Sequence, residues 1–142
     1  MRKNWDDYFM DIAFMVKERS TCPRLQVGAV IVKDKRIKAT GYNGSPPGFD
    51  HCVDVGCLMI AGHCRRTIHA EVNAIMECSP EERKGATIYI TAQPCMECSK
   101  LIIASGITRV VYSTPYEPEY DFFKYAPWIE IVRWERGQEG IG

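Results

Sequence analysis

One pair of motifs restricts the fold of this chain more than any other feature. Thr67-Ile68-His69-Ala70-Glu71 is followed, 24 residues after the glutamate, by the first cysteine of Gln93-Pro94-Cys95-Met96-Glu97-Cys98. One imidazole and two thiolates are zinc donors. Three donors leave a tetrahedral position for water, which is the ligand count of a catalytic site; a structural site is closed by four. The fold must therefore bring His69 to Cys95 and Cys98 from two separate segments. Cys95 and Cys98 share a face if they lie on one helix, and Pro94 suits the start of that helix. Backbone N–H groups and the positive dipole end found there favour thiolate over thiol. Glu71, two residues beyond His69, points off the His69 direction on a helix, so it can reach a pocket beside the metal without ligating it. The bland alternative is a plain zinc site with Glu71 as an ordinary surface residue.

The 142 residues suffice for one domain spanning 1–142 with a substantial core. Eighteen basic and eighteen acidic residues cancel, so the chain lacks the basic footprint of a protein that binds polymeric nucleic acid. No apolar run approaches the roughly 20 residues of a bilayer span. The first residues, Met-Arg-Lys-Asn-Trp-Asp-Asp, lack the apolar stretch of a signal peptide. No membrane partner is expected, and the expected location is the cytoplasm. The seven cysteines, at 22, 52, 57, 64, 78, 95 and 98, are then expected to ligate metal, catalyse or lie buried rather than form bridges.

Residues 4–19 read as an amphipathic helix with Asn4 as N-cap. Trp5, Tyr8, Phe9, Ile12, Ala13 and Val16 recur at helical spacing, and their expected place is the core. Residues 26–32 read as a buried strand, Asp34-Lys35 as a tight turn and 36–42 as a hairpin partner. From Asn43 to Arg66 no periodicity is evident, and so long a loop tends to be functional or tied by metal. Residues 68–78 are expected to be helical, with Thr67 as a possible cap, and Ser79-Pro80-Glu81-Glu82 to end that helix. A strand over 86–91, a helix over 94–105 capped by Gly106, and a strand over 109–113 follow. A short helix over 119–126, a last strand over 129–134 and a loose tail after Arg136 complete the reading. Hairpin first, then helix–strand–helix–strand, makes an α/β fold with a helix-flanked mixed sheet.

On these residues the sequence resembles the deoxycytidylate (dCMP) deaminases, a family of the cytidine deaminase-like superfamily, from Trp5 to Trp134. Beyond the zinc motif, the particular marks are Val27-Gly28-Ala29-Val30-Ile31-Val32, Gly41-Tyr42-Asn43-Gly44-Ser45-Pro46 and the run Gly62 to Glu71. They are most similar to the bacterial and phage branch. The resemblance implies a three-layer α/β/α fold with a five-stranded mixed sheet. It implies hydrolysis of dCMP to dUMP and ammonia for thymidylate synthesis. His69, Cys95 and Cys98 match the family's zinc ligands, Glu71 its proton shuttle, and Asn43 the amide that contacts the sugar.

The resemblance further implies allosteric control, with dCTP activating, dTTP inhibiting and Mg2+ bound through the nucleotide phosphates; Asn43 and Gly44 mark the expected place. It implies a homo-oligomer, commonly a hexamer, and the aromatic stretch Tyr112 to Trp128 offers an interface or simply core. A second, structural zinc is a further family feature. Cys22 and Cys52 fall where its thiolates would come from, and Cys57, His63 and Cys64 are available to close it; the alternative is buried free thiols. By position, Arg24, Arg65 or Arg66 could cradle a phosphate, with Arg24 first, and each could equally be a solvated charge. Tyr116 could pack on the base, or be a core or interface ring. Asn43-Gly44 could be a simple turn.

The zinc motif alone is shared with deaminases of free cytidine, of tRNA adenosine and of the riboflavin pathway. The Tyr42 to Pro46 loop, the cysteine-rich insert and the lack of a basic C-terminal helix favour the nucleotide. A rival of another class is a non-catalytic zinc module, which replacement of Glu71 by Gln would tell apart.

Overall fold

The computed structural model describes residues 2–138. The chain runs α1 (Trp5–Lys17), β1 (Gly28–Lys33), β2 (Arg36–Tyr42), α2 (Cys52–Val55), β3 (Met59–Ile60), β4 (His63–Cys64) and α3 (Ala70–Glu77). It continues with α4 (Pro80–Arg83), β5 (Thr87–Ala92), α5 (Met96–Ser105), β6 (Arg109–Thr114), a 3-10 turn at Phe122–Tyr125, and β7 (Glu130–Arg133). Five strands form one mixed sheet in the order β2-β1-β5-β6-β7. β1 is antiparallel to β2 and β5, whereas β5, β6 and β7 are parallel.

The apolar runs at β1 and β5 are continuous because both faces of the sheet are covered. On one face Ala29 and Ile31 of β1 and Ile88 and Ile90 of β5 meet Ala70 and Ala74 of α3 and Ile102 of α5. On the other, Val30, Val32, Tyr89 and Val111 meet Phe9, Met10 and Ala13 of α1. The result is the expected α/β/α arrangement. Two glycines let the helices approach this closely. A Cβ at Gly28 would overlap the Ala13 carbonyl oxygen and the Lys17 nitrogen of α1, and one at Gly41 the Ala70 oxygen and the Ala74 nitrogen of α3.

A buried ion pair fastens α1 to the sheet. Asp6 accepts from both guanidinium termini of Arg109, at 2.9 and 2.8 Å, and from the Tyr89 hydroxyl at 2.6 Å. Asp7 accepts from the Trp134 indole N–H at 2.8 Å and from the Gly137 N–H at 3.0 Å, holding the segment after β7 on α1.

Several expectations from the sequence need correcting. Trp5 and Tyr8 are 44% and 46% exposed; α1 buries only a narrow stripe, and these two rings lie at its edge, stacked on and edge-to-face with Phe9. Residues 43–66 are not one loop: they hold α2 and the β3–β4 hairpin. Ser79 does not merely end α3. It caps α4, accepting from the Glu82 N–H at 3.2 Å while its own N–H donates to the Glu82 carboxylate at 2.8 Å. The cap of α3 is His69, not Thr67. The helix expected over 119–126 shrinks to a 3-10 turn. No helix among the described residues is long and apolar enough to cross a membrane.

Candidate active site

Two helix N-termini converge at the carboxyl end of β5. His69 is the N-cap of α3 and Cys95 the N-cap of α5. His69 makes no side-chain capping bond, so its imidazole is free to turn toward the cysteines. Cys95 accepts from the Cys98 backbone N–H at 3.5 Å, the helix-end contact that favours a thiolate. The His69 Nδ1 lies 3.3 Å from the Cys98 Sγ and 3.6 Å from the Cys95 Sγ. Donors about 2.0–2.3 Å from a tetrahedral zinc stand about 3.6 Å apart for N···S and about 3.8 Å for S···S. The three side chains, all within 4.8 Å of one another, therefore fit that ion and leave one position open.

The charges respond to this crowding. The Cys98 thiol, followed by the His69 imidazole, draws Cys95 down to about 4 against the effect of its burial. Beside that thiolate, and buried as well, Cys98 is pushed far above the ordinary thiol range. His69 is raised by its contact with Cys95, while burial opposes the shift. Glu71, in the first turn of α3, is buried, and loss of hydration pushes its carboxyl upward although His69 pulls the other way. A carboxyl with raised proton affinity is suited to taking and returning a proton near neutral pH.

Asn43 is completely buried at the wall of the same site. Its Oδ1 accepts from the Ala70 N–H at 2.9 Å and its Nδ2 donates to the Leu25 carbonyl at 3.2 Å. The residue thus ties the first turn of α3 to the segment before β1. Gly44 pairs with Ile68 on both backbone groups, an isolated bridge that joins the 43–44 segment to the residue before His69. Asn73, which sequence reasoning passed over, donates to the Tyr42 carbonyl at 2.9 Å and anchors α3 to the end of β2.

Above these residues lies a cavity of about 440 Å³. His69, Glu71 and Cys95 line its floor, and Arg24, Arg65 and Tyr116 its rim. Arg66 is not among the lining residues: its Nε donates to the Gly56 carbonyl at 3.1 Å. Two lining residues had drawn no attention in this role. Gln93 accepts from the Tyr116 N–H at 3.0 Å and so positions that loop; its place directly before the Pro-Cys motif was the available signal. His63 also lines the cavity, and its position on a solvent-facing hairpin could not be read from an aperiodic segment.

A second cluster joins Cys22, Cys52, Cys57 and Cys64, again with all ligand atoms within 4.8 Å. Sγ separations are 3.7 Å for Cys22–Cys57 and 3.5 Å for Cys52–Cys64. His63 does not join it, a correction to the wider set offered by sequence: the group is complete with four thiols, and His63 lines the cavity instead. Burial, reinforced by the neighbouring thiols, raises Cys52 to about 12. Against its own burial, Cys64 is brought down to about 7 by the backbone of Arg66 and the Cys52 thiol.

An α/β/α sheet with a His-Cys-Cys group at two converging helix ends defines the cytidine deaminase-like class of folds. The description "cytidine and deoxycytidylate deaminase zinc-binding region" matches residues 3–114, and the chain belongs to that family. It is 54% identical over 118 residues to ComE operon protein 2 of Bacillus subtilis, covering 82% of this chain and 62% of that protein. It is 45% identical over 122 residues to the deoxycytidylate deaminase of Mycobacterium phage D29, covering 78% of this chain and 95% of the phage protein. The crystal structure of dCMP deaminase from cyanophage S-TIM5 in complex with dCMP and dUMP superposes with a TM-score of 0.75 at 29% identity, covering 92% and 97% of the two chains.

Proposed function

We propose that residues 1–142 form one zinc-dependent deaminase domain that hydrolyses dCMP to dUMP and ammonia in the cytoplasm, supplying dUMP for thymidylate synthesis. The observation that carries this reading is the buried Glu71 beside convergent His69, Cys95 and Cys98, under a cavity rimmed by Arg24 and Arg65. Zinc held by His69, Cys95 and Cys98 would supply the Lewis acidity that brings the ionisation of a water near neutral pH. Glu71 accepts the proton of the attacking water and returns it to the ring nitrogen. It then takes the second water proton, from the hydroxyl newly added to the ring carbon, and delivers it to the departing ammonia as the C–N bond breaks and the carbonyl forms. Asn43 offers its remaining amide N–H to the sugar, and Tyr116 packs on the base. Arg24 and Arg65 take the phosphate, a dianion suited to guanidinium donors.

The four thiols fit a closed structural zinc site: a tetrahedral zinc sets S···S edges of about 3.8 Å, and the Cys52–Cys64 and Cys22–Cys57 separations, 3.5 and 3.7 Å, lie near that. By family resemblance, dCTP activates and dTTP inhibits with Mg2+ on their phosphates, acting through the Asn43-Gly44 segment; its pairing with Ile68 gives it a path to α3. Assembly into a hexamer would cover the exposed Tyr120, Tyr125 and Trp128.

The test is ultraviolet-followed deamination of dCMP, deoxycytidine, CMP and dCTP side by side, with and without added dCTP effector. Preference for dCMP is expected. Deoxycytidine as the better substrate would remove the phosphate reading, and inertness of all four in zinc-loaded protein would remove the dCMP reading in favour of a tRNA deaminase or a non-catalytic zinc module.

A further inference from the structure

We propose that the four-thiol cluster is the positioning device of the phosphate wall, and that His63 donates to the phosphate beside Arg24 and Arg65; this rests on the dCMP reading above. Each of these three side chains is a near neighbour in sequence of a cluster thiol. Arg24 follows Cys22 by two residues, while His63 and Arg65 flank Cys64. All three line the cavity over His69 and Glu71. Alternate side chains of an extended strand face opposite ways, so His63 and Arg65 share one side while the Cys64 Sγ reaches Cys52 at 3.5 Å.

The hairpin that carries two of the three donors is weak by itself. Its strands have two residues each, and a lone two-stranded hairpin is marginal in water. Met59 and Ile60 are exposed rather than packed. The turn places Ala61 at φ 52° and Gly62 at φ 82°, and the former is a conformation an alanine rarely adopts. Beyond the strands, the Arg65 N–H donates to the Leu58 carbonyl at 2.8 Å, a contact internal to the hairpin. The cluster supplies attachment to the body of the protein. It couples the hairpin's two ends, Cys57 and Cys64, to Cys22 on the segment after α1 and to Cys52 on α2. α2 in turn is tied to Thr21 through the Val53 N–H at 3.0 Å.

By contrast, His69, Glu71, Cys95 and Cys98 are held by α3 and α5, whose apolar faces are in the main core. Opening the cluster releases His63 and Arg65 but leaves the reacting groups in place. Recognition of phosphate is thereby separable from the chemistry. An imidazole N–H and two guanidinium groups are donors of the kind a phosphate dianion takes.

The test compares the zinc-loaded full chain with His63→Ala, Cys57→Ser and Cys57→His. Steady-state kinetics use dCMP and deoxycytidine; calorimetry uses dUMP and deoxyuridine; zinc per chain is measured for each. In His63→Ala and Cys57→Ser the ratio of kcat/KM for dCMP over that for deoxycytidine is expected to fall about tenfold, the cost of one charge-assisted hydrogen bond. The loss should lie in KM, and dUMP binding should weaken in parallel relative to deoxyuridine. Cys57→Ser should also lose one zinc, and Cys57→His, which keeps a ligand, should recover both the zinc and the ratio. An unchanged ratio in His63→Ala overturns the donor role. Loss of a zinc in Cys57→Ser with the ratio intact, or global unfolding of that variant, overturns positioning of the wall alone. A starting protein that turns over neither substrate, or prefers deoxycytidine, removes the dCMP reading and this inference with it.

Discussion

His69, Cys95 and Cys98 stand at the ends of two helices whose apolar faces are buried against the sheet. Cys22, Cys52, Cys57 and Cys64 come instead from a connecting segment, a four-residue helix, the second residue after it and a two-strand hairpin. The first group has three donors, a buried carboxylate beside it and a cavity above it. The second has four donors that face one another. Cooperative packing of the core fixes the geometry of the first before any ligand binds, which is what a site needs if it is to stabilise a transition state. The second has little core of its own, so its order depends on what joins the thiols. On the function proposed above, the chain uses the same side chain for chemistry where the scaffold is rigid and for scaffolding where it is not.

Glu71→Gln gives the largest contrast. It should lower kcat for dCMP about 10³-fold, within the usual range for loss of a general acid–base, with zinc content unchanged by elemental analysis. Undiminished turnover would make the three-donor group as passive as the four-thiol one. Asp6→Ala tests a region outside both. It removes the two-pronged partner of Arg109, whose side chain is only 18% exposed, leaving it the longer contact to Glu130 at 3.4 Å, and should cost about 3 kcal/mol in urea unfolding, as breaking a buried pair does. The zinc content per chain should be unchanged by elemental analysis; a fall would mean that the clusters report global stability rather than local design. Cys52→Ser should remove one zinc and lower the melting temperature by about 5 °C, while the zinc bound at His69, Cys95 and Cys98 survives.

The smallest effect concerns Asp11, which contacts Arg136 at 2.8 Å and Lys3 on the surface. Chiefly through the Arg136 hydrogen bond, its carboxyl is lowered to about 2. A depressed folded-state pKa contributes stability that is present above the ordinary carboxylate range and is lost as pH falls toward 2. Being near the surface, the contribution should be under about 1 kcal/mol. Asp11→Asn should therefore flatten the stability curve below pH 4 slightly, with both metal sites unaffected near neutrality. A large change would place Asp11 among the groups that hold the fold together.

The extent to which each region was legible follows from the range of the forces that shape it. The Asp34-Lys35 turn was readable because two successive positive φ values, 54° and 61°, are a local property of a hairpin. The Ser79-Glu82 capping box was present as Ser-x-x-Glu, although the preceding helix masked it. The α2 segment and the β3–β4 hairpin were not readable. They have no hydrophobic period, and what organises them is the meeting of four thiols up to 42 positions apart, from Cys22 to Cys64.

The sequence by itself determined the donor types, the 3.6- and 2-residue periods and hence the layers, and the Glu71 placement two residues beyond a ligand. Those depend on side-chain chemistry and on neighbours within a few turns. Only the tertiary structure decided that Asn43 spends its carbonyl on the α3 N-terminus, that His63 faces the cavity instead of the thiols, and that Arg66 turns away. These outcomes depend on which loop ends meet in space, and contacts between segments far apart in the chain leave no period for a sequence to display.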